Sequence, residues 1–259
     1  MPAPDQYELP PGVTPASKEQ RAASFGSAAS SYARFRPSYP AAAVEWLVDD
    51  GARTVLDLGA GTGKLTRLLV REGREVIAVE PSDGMRAELH RVVPEARALA
   101  GAADAIPLPG SSVDAVVVAQ AWHWFDPTSA SHEIARVLRP GGSLGVMWNV
   151  RDDSVPWMAE FSRIIHAGET LTQIHGEPRL TDEFGPCSHA AFPWADRVPP
   201  GELHALAATR STLITLPEDV RESLLARVDR LVATDPALAG RATVDVPYTC
   251  EAWRAERIA

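Results

Sequence analysis

Between residues 51 and 150 the apolar positions alternate between two rhythms. Short continuous apolar runs predict strands at 53–58, 75–80, 113–119 and 143–150, with a weaker one at about 96–100. Helix-period stretches separate them. Leu65, Leu68 and Leu69 share one face, and Gly73 is placed to end that helix. Met85, Leu89 and Val92 share the next, which Pro94 ends. Ala130, Ile134, Val137 and Leu138 form a third, with Asp126 as N-cap, Pro127 in the first turn and Pro140-Gly141-Gly142 as the stop. A repeated strand–helix order predicts an α/β chain with a doubly wound, mostly parallel sheet.

Outside this block the rhythm changes. Residues 1–16 carry five prolines and read as a disordered tail. Residues 17–50 read as an N-terminal helical lid: the segment 25–40 mixes small residues with Phe25, Tyr32, Phe35 and Tyr39, and a helix covers 41–50. The main domain is expected over 51–259, with a cap or insertion around 150–240. Within that insertion the pattern predicts helices at 154–168 (Trp157, Phe161, Ile164 and Ile165 on one face) and 216–232, a strand at 191–198, and polar irregular chain over 169–187. Residues 242–253 read as the last strand.

The chemistry concentrates at the carboxyl ends of the strands, where open α/β sheets bind ligands. The first strand ends in Asp57 and runs into Gly59-Ala60-Gly61-Thr62-Gly63. Glycines let backbone approach a ligand that a Cβ would repel. The dinucleotide fingerprint fails at its third position, which is Lys64, and a P-loop fails because Leu65 follows Gly63-Lys64. What remains is D-x-G-x-G-x-G. The second strand ends in Glu80, about twenty residues past Gly59, where a carboxylate can accept from both ribose hydroxyls. Gly101-Ala102-Ala103-Asp104 places small residues and a carboxylate where a flat ring with an exocyclic amine could lie. The fourth strand runs into Gln120-Ala121-Trp122-His123-Trp124-Phe125. His123 is the candidate general base, since an unperturbed imidazole titrates near about 6.5; the competing reading is a histidine that packs between Trp122 and Trp124. Those two tryptophans are expected to line the acceptor pocket. Arg210 and Ser211 are expected to hold an anionic acceptor.

LDLGAGTGKLT, AVEPSDGM, ADAIPLPGSSVDAVVVAQAWHWFD and ARVLRPGGSLGVMW, in that order and spacing, resemble the class I S-adenosylmethionine-dependent methyltransferases. The resemblance is to the methyltransferase-11-type group similar to trans-aconitate methyltransferases, and YARFRPSYP resembles that group's leader. It implies a Rossmann-like seven-stranded sheet whose last strand runs antiparallel. It also implies that Asp57, Gly59, Ala60 and Gly61 contact the methionine portion, that Glu80 holds the ribose with Pro81 also at the cofactor, that Ala103 and Asp104 flank adenine, that Gln120 lies near the sulfonium, and that Tyr32 and Arg36 help cover the cofactor. The implied reaction is methyl transfer from S-adenosylmethionine, giving S-adenosylhomocysteine, to a small-molecule acceptor through a carboxylate or hydroxyl oxygen. A non-catalytic S-adenosylmethionine-binding module and a nicotinamide-dependent oxidoreductase are the alternatives.

Composition narrows the partners. The 259 residues are 45% hydrophobic, enough for a sizeable core, and carry a net charge of −9, which disfavours a nucleic-acid footprint. Cys187 and Cys250 have no zinc-site spacing, so no metal is expected. No apolar run reaches the roughly 18–20 residues that span a bilayer, and no signal or transit peptide is legible, so a cytoplasmic enzyme without a membrane partner is the expectation. The sequence leaves oligomeric state open.

Overall fold

The computed structural model describes residues 7, 9–17, 20–21, 29–168 and 176–258. Helices α1 (Ala29–Phe35) and α2 (Ala41–Leu47) precede β1 (Thr54–Leu58), α3 (Lys64–Leu69), β2 (Glu75–Val79), α4 (Asp83–Val92), β3 (Arg97–Leu99) and β4 (Val113–Ala119). A 3-10 turn, Trp122–Trp124, leads to α5 (Pro127–Val137) and β5 (Leu138–Arg151). Then follow α6 (Pro156–Ile165), β6 (Ser188–Val198), α7 (Glu202–Ala208), α8 (Ser211–Ile214), α9 (Glu218–Thr234) and β7 (Val244–Glu256).

The seven strands form one sheet in the order β3-β2-β1-β4-β5-β7-β6. β1 pairs in parallel with β2 from Thr54↔Glu75 to Leu58↔Val79, and with β4 from Val55↔Ala115 to Asp57↔Val117. The order therefore reverses between β1 and β4, the switch point at which such sheets bind ligands. β7 runs antiparallel to β5, as expected for the last strand: Gly141 and Gly142 exchange backbone bonds with Arg257 at one end, and Asp152 N–H donates to the Pro247 carbonyl at the other.

The described residues fall into two compact units. A sheet unit takes those within Ser38–Val150, Ile174–Pro193 and Thr249–Ala259; a helical unit takes those within Met1–Pro37, Arg151–Gln173 and Trp194–Tyr248. In the sheet unit, Leu56, Leu58, Val116 and Val118 pack with Ile134, Leu138 and Trp148. In the helical unit, Trp157, Phe161, Ile164 and Ile165 of α6 pack with Val220, Leu224 and Val228 of α9 and with Val246 and Tyr248. No helix among the described residues is long and apolar enough to cross a membrane.

Several expectations need correction. Leu68 is 37% exposed, and Thr66 takes the inward place beside Leu65 and Leu69 because its hydroxyl has a buried acid to bond. The stretch Pro140-Gly141-Gly142 does not separate helix from strand: α5 ends at Val137 and β5 already contains it. Its register against β4 shifts between Val113 and Ala115, and Gly142 fits because a Cβ there would sit 2.8 Å from the Asp114 carbonyl oxygen. Helices α7 and α8 lie in a stretch where the apolar pattern predicts no element. The expected lid, 17–50, divides between the units at Pro37 and Ser38.

Of the expected tail, residues 1–6 and 8 lie outside the described residues. Residues 9–17 form no helix or strand, as their prolines require, but Tyr7 is tied down. Its hydroxyl donates to Glu160 Oε1 at 2.6 Å, its carbonyl accepts from Gly168, and its ring lies under the guanidinium groups of Arg163 and Arg227.

Candidate active site

The loops after β1, β2, β3 and β4 converge at the carboxyl edge of the sheet unit. Gly59 N–H and Ala60 N–H both donate to the Val79 carbonyl, at 2.8 and 3.1 Å, so the turn after β1 is laced to the end of β2. Glu80 N–H donates to the Leu99 carbonyl at 3.1 Å, which ties β2's end to β3's. Gly59 adopts a φ of +73°, and a Cβ there would lie 2.8 Å from the Ala121 Cβ. Its glycine is therefore required twice, by the backbone and by the close approach of the loop after β4.

Two carboxylates anchor this edge. Asp57 is 1% exposed and accepts from the Thr66 hydroxyl at 2.6 Å. Burial raises its pKa to about 7; the Thr66 hydrogen bond opposes the rise, and the charge of Glu80 adds to it. Glu80 is also buried, and each of its oxygens takes a backbone N–H: Oε2 from Gly61 and Oε1 from Ser82, both at 2.9 Å. Burial pushes its pKa up, and these two bonds with the Arg86 charge pull it back. A carboxylate has about four lone-pair sites, so two remain for a ligand's hydroxyls.

The remaining residues of the edge differ in exposure. Pro81 is exposed beside Glu80. Ala103 is buried, while Asp104 stands exposed in the turn closed by Ala105 N–H to the Ala102 carbonyl. Gln120 holds a φ of +56°, a left-handed conformation costly for a side-chain-bearing residue and typical of functional turns. Its backbone N–H donates to the Met147 carbonyl at 2.9 Å and its amide to the Asn149 carbonyl at 3.2 Å, which fixes the side chain against β5. Trp122 is turned into the hydrophobic core and meets Phe125 edge-on at 5.9 Å. His123 and Trp124 are half-buried, with ring centroids 4.7 Å apart.

Asp57, Gly59–Gly61, Glu80, Pro81, Ala103, Asp104, Gln120 and Trp122–Trp124 thus all belong to the sheet unit. The other four candidates belong to the helical unit. There Arg36 stacks over the Tyr32 ring at 4.8 Å and donates to the Thr209 carbonyl at 3.0 Å. Arg210 caps α8 ahead of Ser211 and bonds His166.

The apolar pattern missed Thr62 and Thr66. Thr62 Oγ1 is buried with no hydrogen-bond partner among the described residues, inside the glycine turn. Thr66 is legible only once the phase of α3 is known. The Ser82 N–H bond to Glu80 was not legible either.

A family model described as a methyltransferase domain matches residues 56–146. An uncharacterized methyltransferase of Mycobacterium tuberculosis is 46% identical over 239 residues, spanning 92% of this chain and 98% of its own. The chain belongs to the methyltransferase family. An uncharacterized methyltransferase-like protein of Schizosaccharomyces pombe is 36% identical over 236 residues, spanning 87% of this methyltransferase and 92% of its own length. Among solved structures, a putative type II methyltransferase from Anaeromyxobacter dehalogenans superposes with a TM-score of 0.57 at 25% identity, covering 86% of this chain and 98% of that one.

Proposed function

We propose that this methyltransferase uses S-adenosylmethionine to methylate a carboxylate or hydroxyl oxygen of a small-molecule acceptor. The observation that carries the cofactor is Glu80: buried, pinned through both oxygens to Gly61 and Ser82 N–H groups, and left with acceptor capacity for two neighbouring hydroxyls. The open φ of Gly61 and the orphaned Thr62 hydroxyl in the same turn fit an adenosyl ligand that needs no phosphate cradle.

The cofactor supplies the activated methyl group. In this reading Glu80 and Pro81 hold the ribose, Asp57 with the Gly59–Gly61 backbone orients the amino-acid portion, and Ala103 and Asp104 border the adenine. Gln120, fixed by the Asn149 carbonyl, lies near the sulfonium in this reading. Tyr32 and Arg36 have the leader resemblance as their support for covering the cofactor. Orientation alone can supply about 7–11 kcal/mol of a transfer barrier, so a carboxylate acceptor needs no base, whereas a neutral hydroxyl benefits from one. His123 is the proposed base, and Trp124 the proposed wall of the acceptor pocket.

The test is calorimetric titration of wild type and Glu80→Gln with S-adenosylhomocysteine and with a nicotinamide dinucleotide. The expected outcome is saturable binding of the adenosyl ligand alone, weakened by about tenfold or more in the variant, since a hydrogen bond to a charged group is worth about 1.5–3 kcal/mol. Binding of the nicotinamide ligand alone would overturn the reading. Once an acceptor is found, His123→Ala should lower turnover by about a hundredfold or more if a hydroxyl is methylated; full turnover would remove His123 from the chemistry.

A further inference from the structure

The helical unit gathers several basic side chains around His166. Arg151 at the end of β5 and Arg210 at the start of α8 both donate to the same atom, Nε2 of His166, at 2.9 and 2.8 Å. A guanidinium has no acceptor, so in these contacts the ring nitrogen is the acceptor that the two donors share. Two cations are thereby brought to one imidazole nitrogen. A third joins them: Arg36 donates to the carbonyl of Thr209, the residue before Arg210, and its Nε is buried without a hydrogen-bond partner among the described residues. The buried Tyr248 phenol feels all three positive charges, together with the negative charge of Asp196. Arg151 is further oriented by Ser162, whose Oγ accepts from its Nε at 2.9 Å and donates to Asp153 at 2.6 Å.

The geometry points to an oxyanion-binding site formed by Arg36, Arg151 and Arg210 around His166, which recognises a carboxylate or phosphate group of the acceptor. The calling of that ligand the acceptor rests on the methyl-transfer reading; the oxyanion site itself does not. All three cations are arginines, whose planar forks match carboxylate and phosphate oxygens two bonds at a time. They come from three separate stretches of chain and converge within one unit. Arg151, Arg210 and His166 make further interactions of their own, so the inference rests on their convergence.

The experiment is calorimetric titration of the full chain, without cofactor, with succinate and with inorganic phosphate, against sodium chloride at matched ionic strength. Arg151→Gln, Arg210→Gln and Arg210→Lys are compared with wild type, and each protein is also titrated with S-adenosylhomocysteine. One of the two oxyanions should bind wild type saturably and at least about tenfold more weakly in both Gln variants. Arg210→Lys should fall between, because charge without the fork restores part of the site. Succinate outcompeting phosphate identifies a carboxylate handle, and the reverse a phosphate. If a Gln variant fails to fold, Arg210→Lys decides by the same ordering. Wild-type affinity in the variants, or an equal response to chloride, would overturn the site. Oxyanion binding by a wild type that ignores S-adenosylhomocysteine would keep the site and refute the methyl-transfer reading instead.

Discussion

Asp57 is held where its charged form is disfavoured. Its pKa is about 7 in the folded chain, against about 3.9 for an unfolded aspartate. The folded state therefore binds the proton more tightly, and stability falls as pH climbs from about 4 to about 7. Replacing Asp57 by Asn removes that slope and leaves an oxygen for the Thr66 hydroxyl to bond. The melting temperature of Asp57→Asn should thus gain on wild type steadily across this window and run parallel to it above about pH 8. Melting curves whose difference stays constant from pH 4 to 8 would show that Asp57 titrates like an exposed acid. The sequence made Asp57 and Glu80 visible as acids at strand ends, because strand period and acid position are both local signals. It did not show what holds them. Gly61 N–H reaches Glu80 only when β1 and β2 lie side by side, and the Thr66 hydroxyl reaches Asp57 only when α3 folds back on β1; the Ser82 N–H bond is local to the end of β2. The convergence of Arg151 and Arg210 on His166 was invisible for the same reason: 59 residues separate the two arginines in the numbering.

At the level of elements, legibility followed burial. β4 spans Val113–Ala119 just as its β-branched run predicts, and it is buried along almost its whole length. Asp126 caps α5 by accepting from Ser129 N–H at 2.9 Å, with Pro127 in the first turn, so a local chemical signal located that boundary correctly. β5 was misread at its start because Pro-Gly-Gly is ordinarily a stop signal. Here Gly141 takes a φ of +75° and Gly142 lies against the Asp114 and Arg139 carbonyls, so a bulge carries the pairing through. α7 and α8 are 7 and 4 residues long, too short for a period of 3.6 to repeat visibly. β6 was found from Ala191 onward, but Ser188 and His189 at its start are polar and exposed and gave no signal.

The whole molecule depends on its last strand. β7 lies between β5 and β6 in the sheet, although in the chain it comes more than ninety residues after β5 ends. Its first half gives Val244, Val246 and Tyr248 to the core of the helical unit. Its second half buries Cys250, Ala252 and Ala255 in the sheet unit. A fully buried large apolar side chain contributes about 1.5–3 kcal/mol, and a domain's net stability is about 5–15 kcal/mol, so three such side chains approach the whole margin. Losing β7 would also strip β5 of one backbone partner and leave β6 with no strand beside it, exposing unpaired edges. A chain ended after Thr243 should therefore lose its cooperative thermal transition, followed by near-ultraviolet circular dichroism, and with it the binding of S-adenosylhomocysteine, even though every proposed cofactor contact lies before that point. Retention of a cooperative melt and of ligand binding would show that the first five strands hold the glycine turn and Glu80 in place by themselves. The dependence on β7 would then be confined to the helical unit.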